Sequence, residues 1–225
     1  MTPNIEVVRN VRARRMKLAF DPASGRVRLV LPRRANLDAG LAWAAEHGAW
    51  IATQQAKLPQ ARPFVPGATI PLAGNDVTLV WREGAPRSPR LAGGELISGG
   101  PRDGFEQRIA RWLRREAARL LAEETQHYAA TAGVTITAVG VGDTTSRWGS
   151  CSSSGGIRYS WRLILAPAWV RRATVAHEVA HRIHMNHSPA FHALVAQIYG
   201  TDPTPARRWL KANGAGLHWF GRAAS

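Results

Sequence analysis

The stretch from Ala168 to Asn186, AWVRRATVAHEVAHRIHMN, contains no proline or glycine and carries His177-Glu178-Val179-Ala180-His181. That combination constrains the chain more than any other feature. The flanking residues are helix-compatible and mostly apolar. The segment therefore predicts a buried helix that starts at Pro167, since proline is tolerated in a first turn. On a helix, residues i and i+4 lie on one face, about one turn apart. His177 and His181 then converge on one ion, and Glu178 stands beside that face, within reach of a water held there. The plain alternative is a pair of core histidines hydrogen-bonded to Glu178. It buries three ionisable groups together with no cation to offset their desolvation.

A catalytic zinc needs a third protein ligand and one open position. Five of the eight histidines fall between Ala176 and His192, which leaves His184, His187 and His192 as candidates. His184 shares the stripe of His177 and His181 but lies two turns from His177, roughly 10 Å along the axis. His187 stands in MNHSP, where Asn186 can stop one helix and Ser188-Pro189 can start the next. A turn there swings His187 back over the pair, so it is the favoured ligand. His192, on the following helix, is a candidate substrate-side group, a support for the ligands, or simple packing.

The preceding block, SRWGSCSSSGGIRYSWRLILAP, suggests two strands joined by a Ser/Gly turn. Arg147, Trp148 and Arg162 are candidate donors to an oxyanion or contacts for a substrate, although the plainer reading of each, a surface arginine or a core tryptophan, is favoured. Trp148-Gly149-Ser150 is a candidate edge strand, with which an extended peptide would pair. Cys151 raises the rival reading of a Cys/His nucleophile, but the histidine spacing is accounted for without a thiol. His127, near the end of a long helix, and His218 are read as structural.

Elsewhere, segments 13–20 and 26–31 flank the turn DPASG and predict a β-hairpin. Asn36 or Asp38 caps an expected helix over 37–58, with Leu41, Trp50, Ile51 and Leu58 facing inward. Residues 69–81 read as strands around AGND, and 84–103 is the Gly/Pro-rich weak connection. A long helix is expected over 104–133, where Phe105, Ile109, Trp112, Leu113, Leu120, Leu121 and Tyr128 recur near a 3.6 period. A β-rich stretch follows at 134–141, and helices from Ser188-Pro189 and from Thr204 to about Ala212 close the chain. The sum is an α+β protein with a β-rich N-terminal region over 1–100, holding one helix, and a second domain over 101–225.

Thirty Lys and Arg against fifteen Asp and Glu give a net charge of +15. A polyanionic partner, nucleic acid included, is one reading, and solvated basic faces are the other. No apolar run reaches the length of a membrane span. No apolar segment follows the basic N-terminus, so the cytoplasm is expected. A single cysteine excludes an intrachain disulfide and fits a reducing compartment.

SRWGSC, YSWRLILAP and HEVAHRIHMNHSPAFH together resemble the YgjP-like metallopeptidases, a family related to the SprT-type zinc proteases. RARRMKL and PFVPGATIPLAG extend the likeness over nearly the whole chain. The resemblance implies a minimal zincin-like domain, its HExxH helix packed on a small sheet. It implies one zinc ion per chain on His177, His181 and His187, with Glu178 as catalytic glutamate, and a peptide or protein substrate. The chain departs from the family in one place: Phe191-His192 stands where a Phe-Trp pair is usual. Two alternatives remain. One is a metal-dependent hydrolase of nucleotide phosphoanhydrides. The other is a nucleic-acid-associated module braced by a structural metal.

Overall fold

The computed structural model describes residues 5–223. They form an α+β fold with six α-helices and three small sheets, and they divide between Gln60 and Ala61 into two compact units.

In the first unit, β1 (Ile5–Asn10), β2 (Lys17–Asp21) and β3 (Arg26–Pro32) form a sheet in the order β1-β3-β2. The β2–β3 hairpin is the expected one, with Asp21 accepting from Ala23 N and Ser24 Oγ in its turn. Strand β1, parallel to β3, was not expected. The single helix expected over 37–58 is two helices, α1 (Leu37–Glu46) and α2 (Gly48–Gln55), broken at His47. Asn36 caps α1 as expected, through a bond from Ala39 N. The inward side is also different. Leu41 and Trp50 are exposed, while Gly40, Ala44 and Ile51 are buried. A Cβ on Gly40 would stand 2.7 Å from Leu31 Cδ2, so β3 lies too close for any large residue on that face.

The second unit opens with a sheet of β4 (Thr69–Leu72), β5 (Asn75–Trp81), β6 (Arg90–Ala92) and β7 (Glu95–Ser98), in the order β4-β5-β7-β6. Helix α3 (Phe105–Ala132) follows. Its buried stripe runs Phe105, Ile109, Leu113, Ala117, Leu121, Thr125 and Tyr128, the spacing of a helix with one apolar face. Trp112 and Leu120 sit at the margin of that stripe and are half-buried.

A three-stranded sheet comes next: β8 (Ala138–Gly142), β9 (Gly149–Cys151) and β10 (Gly156–Ser160), in the order β8-β10-β9. Strand β9 is thus an edge strand. A short 3-10 segment, Trp161–Leu165, leads into α4 (Ala168–Ala180), then α5 (Pro189–Tyr199) and α6 (Thr204–Leu217). Ser188 caps α5, accepting from Phe191 N ahead of Pro189. Helix α4 packs among α3, α5, α6 and β9. Its buried contacts are small, with Ala173, Ala176 and Ala180 letting neighbours approach closely. Arg171, buried on α4, donates to both carboxylate oxygens of Glu124 on α3 and fixes the register of the two helices. Among the described residues no helix is long and apolar enough to cross a membrane.

Candidate metal centre

The expected uninterrupted helix over 168–186 ends early. Helix α4 stops at Ala180, and His181 is its C-cap. Backbone bonds from Arg182 N to Val179 O, and from Ile183 N and His184 N to Ala180 O, close the last turn tightly. The segment then reverses. Arg182 tethers it, donating to Thr135 O and Ser153 O. Tertiary contacts of this kind override the helix propensity of 182–186.

The reversal brings the histidines together. The donor atoms of His177, His181 and His187 all lie within 4.8 Å of one another. His187 Nε2 is 3.2 Å from His177 Nε2. His181 Nδ1 lies 2.9 Å from the carbonyl oxygen of His184, which can only accept. Nδ1 therefore carries the proton, and Nε2 presents its lone pair. Beneath the three rings lies Phe191 of α5, fully buried, its centroid 4.5 Å from His181 and 4.8 Å from both His177 and His187. Burial first, then the neighbouring His181 and His187, push the His177 imidazole down to about 4. Burial also lowers His181. Three imidazole nitrogens gathered at one place, two of their rings kept neutral by burial, form a donor set suited to a divalent ion.

Glu178 is buried beside them, at 6% exposure. Desolvation raises its carboxyl to about 7, and the charge of Arg147 opposes that rise. Strand β9 runs against this side chain. A Cβ on Gly149 would stand 2.5 Å from Glu178 Cγ and from Oε1. A cleft of about 260 Å³ opens here, lined by Trp148, His177, Glu178, His192, Val195 and Leu210 among others.

The other expected site residues are placed as follows. Arg147 is exposed at the cleft rim. Trp148 forms a wall, lying against Gly214 of α6 and 5.2 Å from the buried His218 ring. His192 lines the cleft from α5, 6.2 Å from the His187 ring. His184 contributes its carbonyl oxygen to His181 and lies off the helical stripe where it was expected, because the helix ends before it. Arg162 lies outside the cleft lining, and its guanidinium is committed elsewhere. It donates to both oxygens of Asp143, at 2.7 and 3.1 Å, and to Leu217 O and Phe220 O. Burial pushes the Cys151 thiol up, which is the opposite of nucleophile activation. His127 sits edge-on to Tyr128 on α3.

Sequence reasoning missed three contributors: the Asp143 partner of Arg162, the Phe191 floor and the Arg207 side chain on the cleft. Spacing carries no signal for the first, whose partner is distant in sequence, nor for the third, whose place on the cleft depends on how α6 packs. Phe191 alone had a local signal, one helical turn after His187.

The family model of the YgjP-like metallopeptidase domain matches residues 14–213, across both compact units, and the chain belongs to that family. No curated protein and no solved structure matches it significantly.

Proposed function

We propose that this YgjP-like chain is a zinc-dependent metallopeptidase in which His177, His181 and His187 hold one zinc ion and Glu178 is the general base. The observation that carries the reading is the convergence of three imidazoles from α4 and the following turn on one point, with a buried carboxylate one residue from the first. Membership of a metallopeptidase family agrees with it. When bound, zinc polarises a carbonyl and makes water a stronger acid.

The chain's own residues supply the rest. The Glu178 carboxylate takes the proton of the attacking water and delivers it to the leaving amine, and a carboxyl poised near neutral pH suits both transfers. Phe191 stacks on the His181 ring and meets the other two edge-on, and the His184 carbonyl fixes the tautomer of His181. The free side of β9 offers backbone groups to an extended peptide, and Trp148 walls the cleft beside it. This machinery falls within the proposed C-terminal domain, 101–225. The one cysteine suits the reducing cytoplasm, the proposed location. The apolar walls and the strand edge favour a peptide over a nucleotide.

The test is Glu178→Gln. The variant is expected to keep its metal by elemental analysis and to lose peptide hydrolysis by about 10²- to 10⁴-fold. Hydrolysis at the parent rate, or a parent protein that binds no divalent ion, overturns the reading.

A further inference from the structure

We propose that the cleft beside Glu178 selects peptides with an acidic side chain next to an apolar one, and that Arg147 and Arg207 are the groups that read the acid. The inference deepens the peptidase reading and rests on it.

The cleft has apolar walls, from Trp148, Val195, Leu210 and the Pro203–Ala206 turn, but its polar groups are unbalanced. Two guanidiniums and the His192 imidazole face it, against one carboxylate, Glu178. Several buried or helix-surface arginines of the second unit are occupied by acids, whereas these two line the cleft with their charge uncompensated. Arg119 pairs with Glu116 and Glu123, Arg162 with Asp143, and Arg171 with Glu124. Among the described residues no ion pair involves Arg147 or Arg207. Arg207 Nη2 donates to Thr204 Oγ1 at 3.3 Å, and the exposed Asp202 lies near enough to feel its charge. Most donors of both forks stay open.

Both guanidiniums line the same cleft as His177 and Glu178. They are therefore close to where a scissile bond would lie. A guanidinium fork matches a carboxylate with two parallel hydrogen bonds. A positive excess in a cleft with low-dielectric walls also concentrates anions there. Nucleic acid fits less well. Phosphate tracking needs a run of cations along an open groove, whereas this cleft is walled by apolar groups and has a carboxylate among its lining residues.

The experiment uses the full-length, zinc-loaded Glu178→Gln protein, so that binding is read without turnover. Fluorescein-labelled peptides identical but for one central residue, Glu, Gln or Lys after a Leu, are titrated by fluorescence anisotropy. The Glu peptide is expected to bind about ten-fold tighter than the Gln peptide. Added salt should narrow the gap. Placing Arg147→Glu and Arg207→Glu in the same background should transfer the preference to the Lys peptide, with zinc content and melting curve unchanged. Equal affinity for the Glu and Gln peptides, or a preference that survives charge reversal, overturns the proposal. So does single-stranded DNA that displaces the Glu peptide and itself loses binding on charge reversal, which makes the cleft a polyanion site. The two readings fail separately. A parent enzyme that cleaves both peptides with equal kcat/KM keeps its peptidase activity and loses this selectivity. Selective binding with no cleavage by the zinc-loaded parent does the reverse.

Discussion

A Cβ on Gly149 would stand 2.5 Å from both Cγ and Oε1 of Glu178, so the Glu178 side chain of the histidine-bearing helix lies directly on the backbone of the edge strand. The contact sets how far the carboxylate reaches into the cleft. Gly149→Ala is expected to push Glu178 aside while leaving the three histidines in place. A displacement of about 1 Å at a reacting group costs on the order of a hundred-fold in rate. Metal content should stay at the parent level while kcat falls. Loss of metal together with activity would show that the methyl disturbs α4 as a whole.

His184 and His187 should respond oppositely to alanine. His184→Ala retains the carbonyl that fixes His181, so metal binding should change little. His187→Ala removes one of three converging donors, and affinity should drop by at least about a hundred-fold. Competition with a chromogenic chelator measures both. Equal losses in the two variants would place the third donor elsewhere.

Arg162 joins three segments: the Asp143 loop ahead of β9, its own 3-10 turn, and the end of α6 at Leu217 and Phe220. Arg162→Ala leaves those two carbonyls without their donor and should cost on the order of 3 kcal/mol in urea unfolding. The pair also predicts an acid limb. Burial alone would raise the Asp143 carboxyl, but the hydrogen bonds and charge of Arg162 outweigh it and hold the group below its usual value. A depressed folded pKa gives stability that is complete above the unfolded value of about 3.9 and drains away as pH falls through the folded one. The parent should therefore lose stability in acid more steeply than Asp143→Asn. Urea midpoints between about pH 2 and pH 6 test this, and parallel curves would remove the pair from the acid response.

Phe191 supports all three imidazoles with a fully buried ring. Phe191→Ala should destabilise the metal-free protein by roughly 3–5 kcal/mol. Phe191→Leu keeps most of the volume and loses the flat surface. It should fold, yet bind zinc about ten-fold more weakly. Unchanged zinc affinity in the leucine variant would reduce the ring to filling.

Much of the architecture was legible because it depends on neighbours in sequence. The stripe of α3 follows from a 3.6 period, the cap at Ser188 from its side chain and the proline after it, and the β2–β3 hairpin from its turn residues. The pairing of His177 and His181 is of this kind too, since one helical turn fixes their separation whatever surrounds them. The break at His47 and the exposure of Leu41 and Trp50 were not legible. The buried face of α1 is instead set by small residues, with Gly40 against Leu31 of β3, a contact between segments distant in sequence.

The sequence by itself determined which residues a helix would line up, and hence two of the three converging histidines. Turn residues around His187 pointed to the third, and the tertiary structure brought it over the pair. Where α4 stops depends on the His184 carbonyl meeting His181, on Arg182 reaching Thr135 and Ser153, and on Phe191 packing beneath the rings. The same holds for the burial that shifts Glu178 and for the two open arginines of the cleft. Local spacing acts through covalent geometry, which the chain always carries. These features act through solvent exclusion and contact between distant segments, which exist only after the chain has folded.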